Sequence, residues 1–213
     1  MTAAAHGATA PLTDRGRRTR DALLIAARST FEERGFTGTR MGDVAAAAGV
    51  SHGTVYTWFD SKESMLGALV DDMVTDLREV LRANTDVEPV ERIALANRGY
   101  LDAYQRNARL LEVAEEVATA DAHFREQLAG IRSFHVERVA RDITRLQADG
   151  LAASDLDPHT AAAALCGMVE SFARHWFGRG ERRDKALAVG TLTQLWTRSL
   201  GITPDRPRRR SVR

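Results

Sequence analysis

Residues 39–66 read TRMGDVAAAAGVSHGTVYTWFDSKESML, and the fold is decided there. Val44, Ala45 and Ala48 give the first short segment a compact apolar face, and Gly49 breaks it. Ser51 is a good N-cap for HGTVYTWF, because its hydroxyl can accept from an amide of the first turn. Asp60 and Ser61 break the chain again, with Ser61 as the next N-cap. A longer helix is expected from about Lys62 to Asn84, with Met65, Leu66, Leu69, Met73, Leu77 and Leu81 as its stripe. Two short helices around a glycine that can reverse the chain in a left-handed conformation make a helix-turn-helix.

The flanks extend this reading. Arg15, Arg17, Arg18 and Arg20 lead into a helix whose Leu23, Leu24, Ala27 and Phe31 share one face. Gly35 should end it as a left-handed cap, with Phe36 folded back onto its end. Beyond Pro89 the helical period continues over about 89–105, 107–119, 122–149, 158–178 and 182–200. Asp121 and Asp157 read as N-caps, Pro158 as a first-turn residue whose missing N–H costs nothing, and Gly150 as a terminator. That makes about nine helices. No window alternates β-branched and polar residues between turn signals, so an all-α fold is expected.

Composition agrees. Of 213 residues, 44% are hydrophobic, enough for a small domain fused to a larger one. The single cysteine, Cys166, lies in the apolar run AAAALCGMV, which excludes an internal disulfide and fits a buried small hydrophobe in a reducing cytoplasm. No apolar run approaches the ~18 residues needed to span a bilayer, and the opening residues have no apolar core of a secretory signal. Residues 1–62 carry eight Lys/Arg against six Asp/Glu, residues 63–204 carry 17 against 22, and residues 205–213 five against one. A slightly basic head on an acidic body suits a chain that offers one end to a polyanion.

The second short helix would be free to present a polar face. His52, Gly53, Thr54, Tyr56, Thr57 and Trp58 supply short donors, one glycine and two aromatics, and no acidic residue occurs from Val44 to Phe59. A carboxylate-free surface is what a phosphate-facing surface requires. Gly53 allows close approach of the backbone, and a major groove admits such a helix. Trp58 belongs to this face, with packing alone as the lesser alternative. The four arginines read either as a solvated helix end or as a DNA arm reaching the minor groove or nearby phosphates.

In order and spacing, about 45 residues resemble the DNA-binding domain of the tetracycline-repressor (TetR) family of bacterial regulators. The match runs through Phe31, Gly35, Phe36, Thr39, Val44, Ala45, Ala48-Gly49-Val50-Ser51, Gly53-Thr54-Val55-Tyr56, Phe59, Lys62-Glu63 and Leu66. The resemblance implies that Tyr56 and Lys62 grip phosphates, that Thr39 or Arg40 touches the backbone or a base edge, and that His52, Gly53 and Thr54 face bases. Trp58 stands where family members often carry His or Tyr. Gly42 and His52 depart from the longer or basic side chains common in the family, which shifts specificity toward Arg40 and DNA shape.

The family architecture implies a homodimer on a palindromic operator in double-stranded DNA, most simply a repressor released by a small hydrophobic effector. A regulator controlled by a partner protein, or an activator, is the alternative. The helices 158–178 and 182–200 are the dimer candidates, through Ala164, Met168, Phe172, Trp176, Leu192, Leu195 and Trp196; the same residues could instead be a monomer's core. The effector pocket is expected between the helices of 62–149, lined by Tyr100, Tyr104, Leu111, Phe124, Leu128 and Phe134 as apolar walls with two phenols. The division is then a disordered arm over 1–14, the helix-turn-helix domain over 15–61, the effector and dimer domain over 62–202, and a basic disordered tail over 203–213. No phosphate loop, HExxH or nucleophile elbow is present, so neither catalysis nor a metal or cofactor is expected. His123 and His135 are too far apart for a shared metal, and acidic pairs such as Glu115-Glu116 read as solvated faces.

Overall fold

Thr13 opens the first helix, its hydroxyl accepting from the Gly16 amide at 3.2 Å. Helix α1 runs Asp14–Gly38 with a kink at Gly35, where φ is +70°. No L side chain adopts that backbone cheaply, so glycine sets the bend. Phe36 then folds back, its ring stacked on Phe31 with centroids 5.7 Å apart. Helix α2 is Met41–Ala48, capped by the Asp43 carboxylate, which accepts from the Arg40 amide at 2.9 Å. Gly49, with φ +67°, makes the left-handed turn, and Ser51 caps helix α3, His52–Trp58, by accepting from the Thr54 amide at 3.2 Å. Helix α4 follows as Lys62–Val80.

The computed structural model describes residues 13–80, 87–178 and 180–202. The end of the long helix expected near Asn84, most of the arm over 1–14 and the tail over 203–213 lie outside the described residues. The chain forms two compact units, Met1–Asp71 and Asp72–Arg213, so the division falls inside α4. In the first unit Leu23, Leu24, Ala27, Phe31, Val44, Val55, Phe59 and Met65 are buried. Val44 and Val55 tie α2 and α3 to that core and so set the angle between them, while Ala48 and Val50 are only half-buried.

The second unit contains α5 (Pro89–Ala120), α6 (Ala122–Ala148), α7 (Pro158–Gly178) and α8 (Lys185–Ser199). Helix α5 packs against α6, α7 and α8, and α6 against α7. Leu101, Ile143, Leu146, Val169, Trp176, Leu192, Trp196 and Leu200 form its core. Two helices expected over 89–105 and 107–119 are one. Asn107, expected as the first residue of the second helix, is buried in mid-helix, its side-chain amide donating to Ala103 O at 2.8 Å. Helix α8 begins three residues later than expected because Asp184 caps it, accepting from the Ala186 and Leu187 amides at 2.8 and 3.1 Å. Asp157 accepts from the Thr160 amide at 2.8 Å as an N-cap should. The described residues therefore hold eight helices and no strand.

Candidate nucleic-acid interface and cavity

On α3, His52, Gly53, Tyr56 and Thr57 are exposed and Thr54 is half-buried. Val55, on the opposite side, is fully buried and anchors the helix. Thr54 and Ser51 share a hydroxyl hydrogen bond of 2.8 Å, and Thr57 donates back to Gly53 O at 3.2 Å. The His52 ring meets Tyr56 edge-on at 5.1 Å. It also lies beside Gly42 on α2, where an added Cβ would come within 3.6 Å of it. The two departures from the family pattern are thus one contact: the space Gly42 leaves is taken by His52. Arg40 is exposed at the start of α2, and the nearby Asp43 carboxylate is engaged by Arg34 at 3.1 Å.

Other residues expected at the interface have partners within the first unit. Thr39 is 1% exposed, and its hydroxyl donates to Gly35 O at 2.8 Å and Thr30 O at 3.3 Å, so its side chain braces the end of α1 instead of facing outward. The Lys62 ammonium donates to Phe36 O at 2.8 Å and to Thr39 O at 3.4 Å and lies 4.3 Å from the Phe36 ring centroid. A cation at the C-terminal carbonyls of α1 satisfies groups that a helix end leaves without partners. Trp58 is half-buried, and its ring lies over the start of α1, close enough that a Cβ at Gly16 would meet it at 3.2 Å. Arg15, Arg17, Arg18 and Arg20 belong to α1 and not to an extended arm; Arg17 pairs with Asp14, and Arg20 lies 5.9 Å over the Phe59 ring.

In the second unit a cavity of about 290 Å³ is lined by residues of α4 to α7. Tyr100, Tyr104, Leu111 and Leu128 line it as expected, joined by Met73. Phe124 and Phe134 do not: Phe124 is packed into the core at 2% exposure and Phe134 points outward at 37%. The expected apolar wall is also charged on one side. Arg132 bonds Glu170 at 2.7 Å and Glu115 at 3.3 Å, and Arg174 bonds the same two carboxylates at 2.9 and 3.0 Å. Glu115 is therefore no solvated face. Burial, then Glu170, raises the Tyr100 phenol far above its ordinary pKa; burial, then Glu115, raises Tyr104. The Cys166 thiol is pushed up to about 12, chiefly by burial. His135 stacks on Tyr100 at 5.3 Å, and burial with Arg138 nearby lowers it to about 4, so the ring is neutral near pH 7.

Sequence reading could have found Asn107 and Glu115. With Tyr100, Tyr104 and Leu111 they form one helical stripe, hidden when α5 is split in two. Of the seven expected dimer residues, Trp176, Leu192 and Trp196 belong to the chain's own core. Ala164 and Leu195 are exposed, with Met168 and Phe172 half-buried beside them, and Leu187 stands 70% exposed on the same side of α8 as Leu195. No helix of the described residues is long and apolar enough to cross a membrane.

Comparison with known proteins places this geometry. Residues 23–69 match the sequence profile of the family described as bacterial regulatory proteins, tetR family. The HTH-type transcriptional activator FasR of Mycolicibacterium smegmatis is 30% identical over 192 residues, which is 83% of this chain and 81% of that one. An HTH-type transcriptional repressor of Mycobacterium tuberculosis is 34% identical over 102 residues, 44% of this chain and 54% of that one, so that match spans about half the relative's length. Among solved structures, the fatty acid degradation regulator FadR of Bacillus halodurans superposes with a TM-score of 0.72 at 19% identity, covering 92% of this chain and all of that one. FadR of Bacillus subtilis, solved with stearoyl-CoA, superposes at 0.69 and 19%, covering 83% and 96%. These two likenesses speak for the fold.

Proposed function

This chain belongs to the TetR family of bacterial regulatory proteins, and we propose that it is a dimeric transcriptional repressor that binds a palindromic operator through α3 and is released when a small molecule enters the larger cavity. The exposed, carboxylate-free face of α3 carries this reading. His52, Gly53, Thr54, Tyr56 and Thr57 offer donors and close backbone approach, and Arg40 is exposed at the start of α2. A single seven-residue helix makes too few contacts to select a site alone, so two recognition helices one DNA turn apart are needed. The outer faces of α7 and α8, with Ala164, Leu187 and Leu195 exposed, suit that pairing as a four-helix interface.

The cavity supports small-molecule control. It is large enough for a compact organic molecule, and its apolar floor faces the Glu115–Arg132–Glu170–Arg174 network, so a ligand with both an apolar body and a hydrogen-bonding edge fits best. Helix α4 contributes Met73 to the cavity, and its first residue, Lys62, holds the end of α1. A ligand pressing on Met73 therefore acts on the helix that anchors the reading domain, and DNA and ligand weaken each other's binding by the same factor. The activator alternative keeps support from the name of the FasR relative.

A mobility-shift titration on the chain's own promoter tests the proposal. The protein should retard that duplex in preference to unrelated DNA, as a complex of two chains, and candidates that join an apolar body to a polar edge should raise the midpoint. Equal affinity for unrelated duplex would remove the repressor reading; a midpoint that no candidate moves would remove the effector.

A further inference from the structure

A second, smaller cavity of about 60 Å³ opens among α5, α6, α7 and α8. It is distinct from the larger one, although the stacked Tyr100 and His135 line both and form the wall between them. Trp196 lines it. That side chain is 93% buried, at 7% exposure, and its indole N–H has no acceptor among the described residues. By contrast the other buried indole, Trp176, donates to Glu181 O at 3.0 Å. Buried donors without partners are rare in folded proteins and point to a missing acceptor.

The charges around the cavity are also unbalanced. Arg92 and Arg138 line it, both half-buried, and among the described residues neither lies in an ion pair. The acidic residue of the lining, Asp142, bonds Arg145 at 3.5 Å instead. Burial lowers the Arg138 proton affinity, Asp142 opposes this, and Arg141 and Arg145 lower it further. Two guanidiniums and an indole N–H thus line one cavity with a single carboxylate, Asp142, which is shared with Arg145 outside it. The rest of the lining is apolar: Ile93, Val139, Ile143 and Val169.

We propose that this cavity is a carboxylate site, taking a short monocarboxylate whose oxygens accept from the Trp196 indole N–H and from the guanidiniums of Arg92 and Arg138 while its alkyl end meets Ile93, Val139 and Ile143. Size agrees. One water-sized group needs roughly 10–15 Å³ on this measure, so the space holds about four or five non-hydrogen atoms, the scale of propionate. A tetrahedral oxyanion has the right size but leaves the apolar wall against charged oxygens. Guanidinium and carboxylate form paired, charge-assisted hydrogen bonds, which favours the planar anion. The site goes beyond the repressor reading and does not depend on it, because neither DNA nor the larger cavity takes part.

The test uses the full chain, labelled with ¹⁵N, titrated with sodium propionate at constant ionic strength. The indole N–H cross-peaks are few, and Trp196→Phe identifies the one to follow. We expect that peak to move and saturate with propionate and to stay in place with propionamide or sulfate. Arg92→Gln and Arg138→Gln, changes at half-buried positions that leave the core intact, should each weaken propionate binding about tenfold, the loss of one charge-assisted pair. A stationary Trp196 peak at tens of millimolar propionate overturns the proposal, as does equal response to propionamide or sulfate. Unchanged affinity in both arginine variants overturns it too. Should Trp196→Phe fail to fold, the two arginine variants carry the same decision.

Discussion

Lys62→Met keeps the aliphatic stem and removes the ammonium, which separates two roles for this residue. In the structure the ammonium serves the C-terminal end of α1: it donates to Phe36 O at 2.8 Å and more weakly to Thr39 O at 3.4 Å, over the Phe36 ring. A hydrogen bond from a charged donor contributes about 1.5–3 kcal/mol where water is excluded. Lys62 is half-buried, so about 1 kcal/mol is the fitting share for the short bond, and the ring contact adds about 0.5–1 kcal/mol. The expected loss is about 2 kcal/mol, a fall in Tm of about 4–8 °C for a chain of this size, read by circular dichroism. DNA binding supplies the second readout. Each phosphate neutralised by a lysine contributes about 0.9 to the slope of log K against log salt concentration. An ammonium spent on carbonyls releases no counterion from DNA, so the variant should bind more weakly through a loosened α1–α4 junction while its slope stays that of the parent. An unchanged Tm together with a slope smaller by about one unit would refute the bracing role and restore the phosphate contact implied by the family likeness.

Tyr56→Ala should leave stability within about 0.5 kcal/mol, because the ring is 48% exposed, yet weaken operator binding at least fivefold, the worth of about 1 kcal/mol for one hydrogen bond; a gel-shift midpoint equal to the parent's would take α3 out of the interface. Gly35→Ala meets no atom within 4 Å, so its whole cost is backbone strain at φ +70° and ψ 172°, about 1–3 kcal/mol, and a urea midpoint that does not fall contradicts this. For His135 the folded-state pKa, about 4, lies below the ordinary 6.5. The unfolded chain then takes up the proton first, so the stability from His135 is whole above pH 6.5 and declines as pH falls toward 4, at up to about 1.4 kcal/mol per pH unit. His135→Gln should flatten that segment of the stability curve, and an unaltered slope argues that the ring is solvated.

Local chemistry made the first unit readable. Gly49 and Ser51 each answer a backbone requirement that three or four neighbouring residues impose, and the structure places both where that requirement predicts; Gly35 supplies the expected positive φ, but at ψ 172° it kinks α1 instead of capping it in a left-handed turn. The helical period was likewise visible along the chain, but it divided α5 in two and so gave nine helices where the described residues hold eight. The break expected near residue 106 is absent. A polar run inside a long helix reads as an interruption while its partners are unknown, and here Asn107 has one in the carbonyl of Ala103, one turn back on the same helix. Lys62 has a role that local sequence hides for a related reason: its partners, Phe36 O and Thr39 O, lie more than twenty residues away in sequence.

The cavity shows the same limit with a larger consequence. Glu115, Arg132, Glu170 and Arg174 come from three helices, and each alone belongs on a solvated face. Together their charges cancel, with every carboxylate bridging both guanidiniums at 2.7–3.3 Å. Cancellation is what allows ionised groups to line a cavity without the full cost of desolvation. An apolar stripe can be read from one helix, because hydrophobicity belongs to a residue. Compensation of charge belongs to a set of residues, and the set exists only once α5, α6 and α7 are packed. If the cavity takes the proposed effector, ligand preference should be governed by the feature least legible in the sequence. A purely hydrophobic molecule leaves the charged wall without new partners, whereas one with a polar edge can join the network, so binding strength should follow the polar edge more than the apolar body.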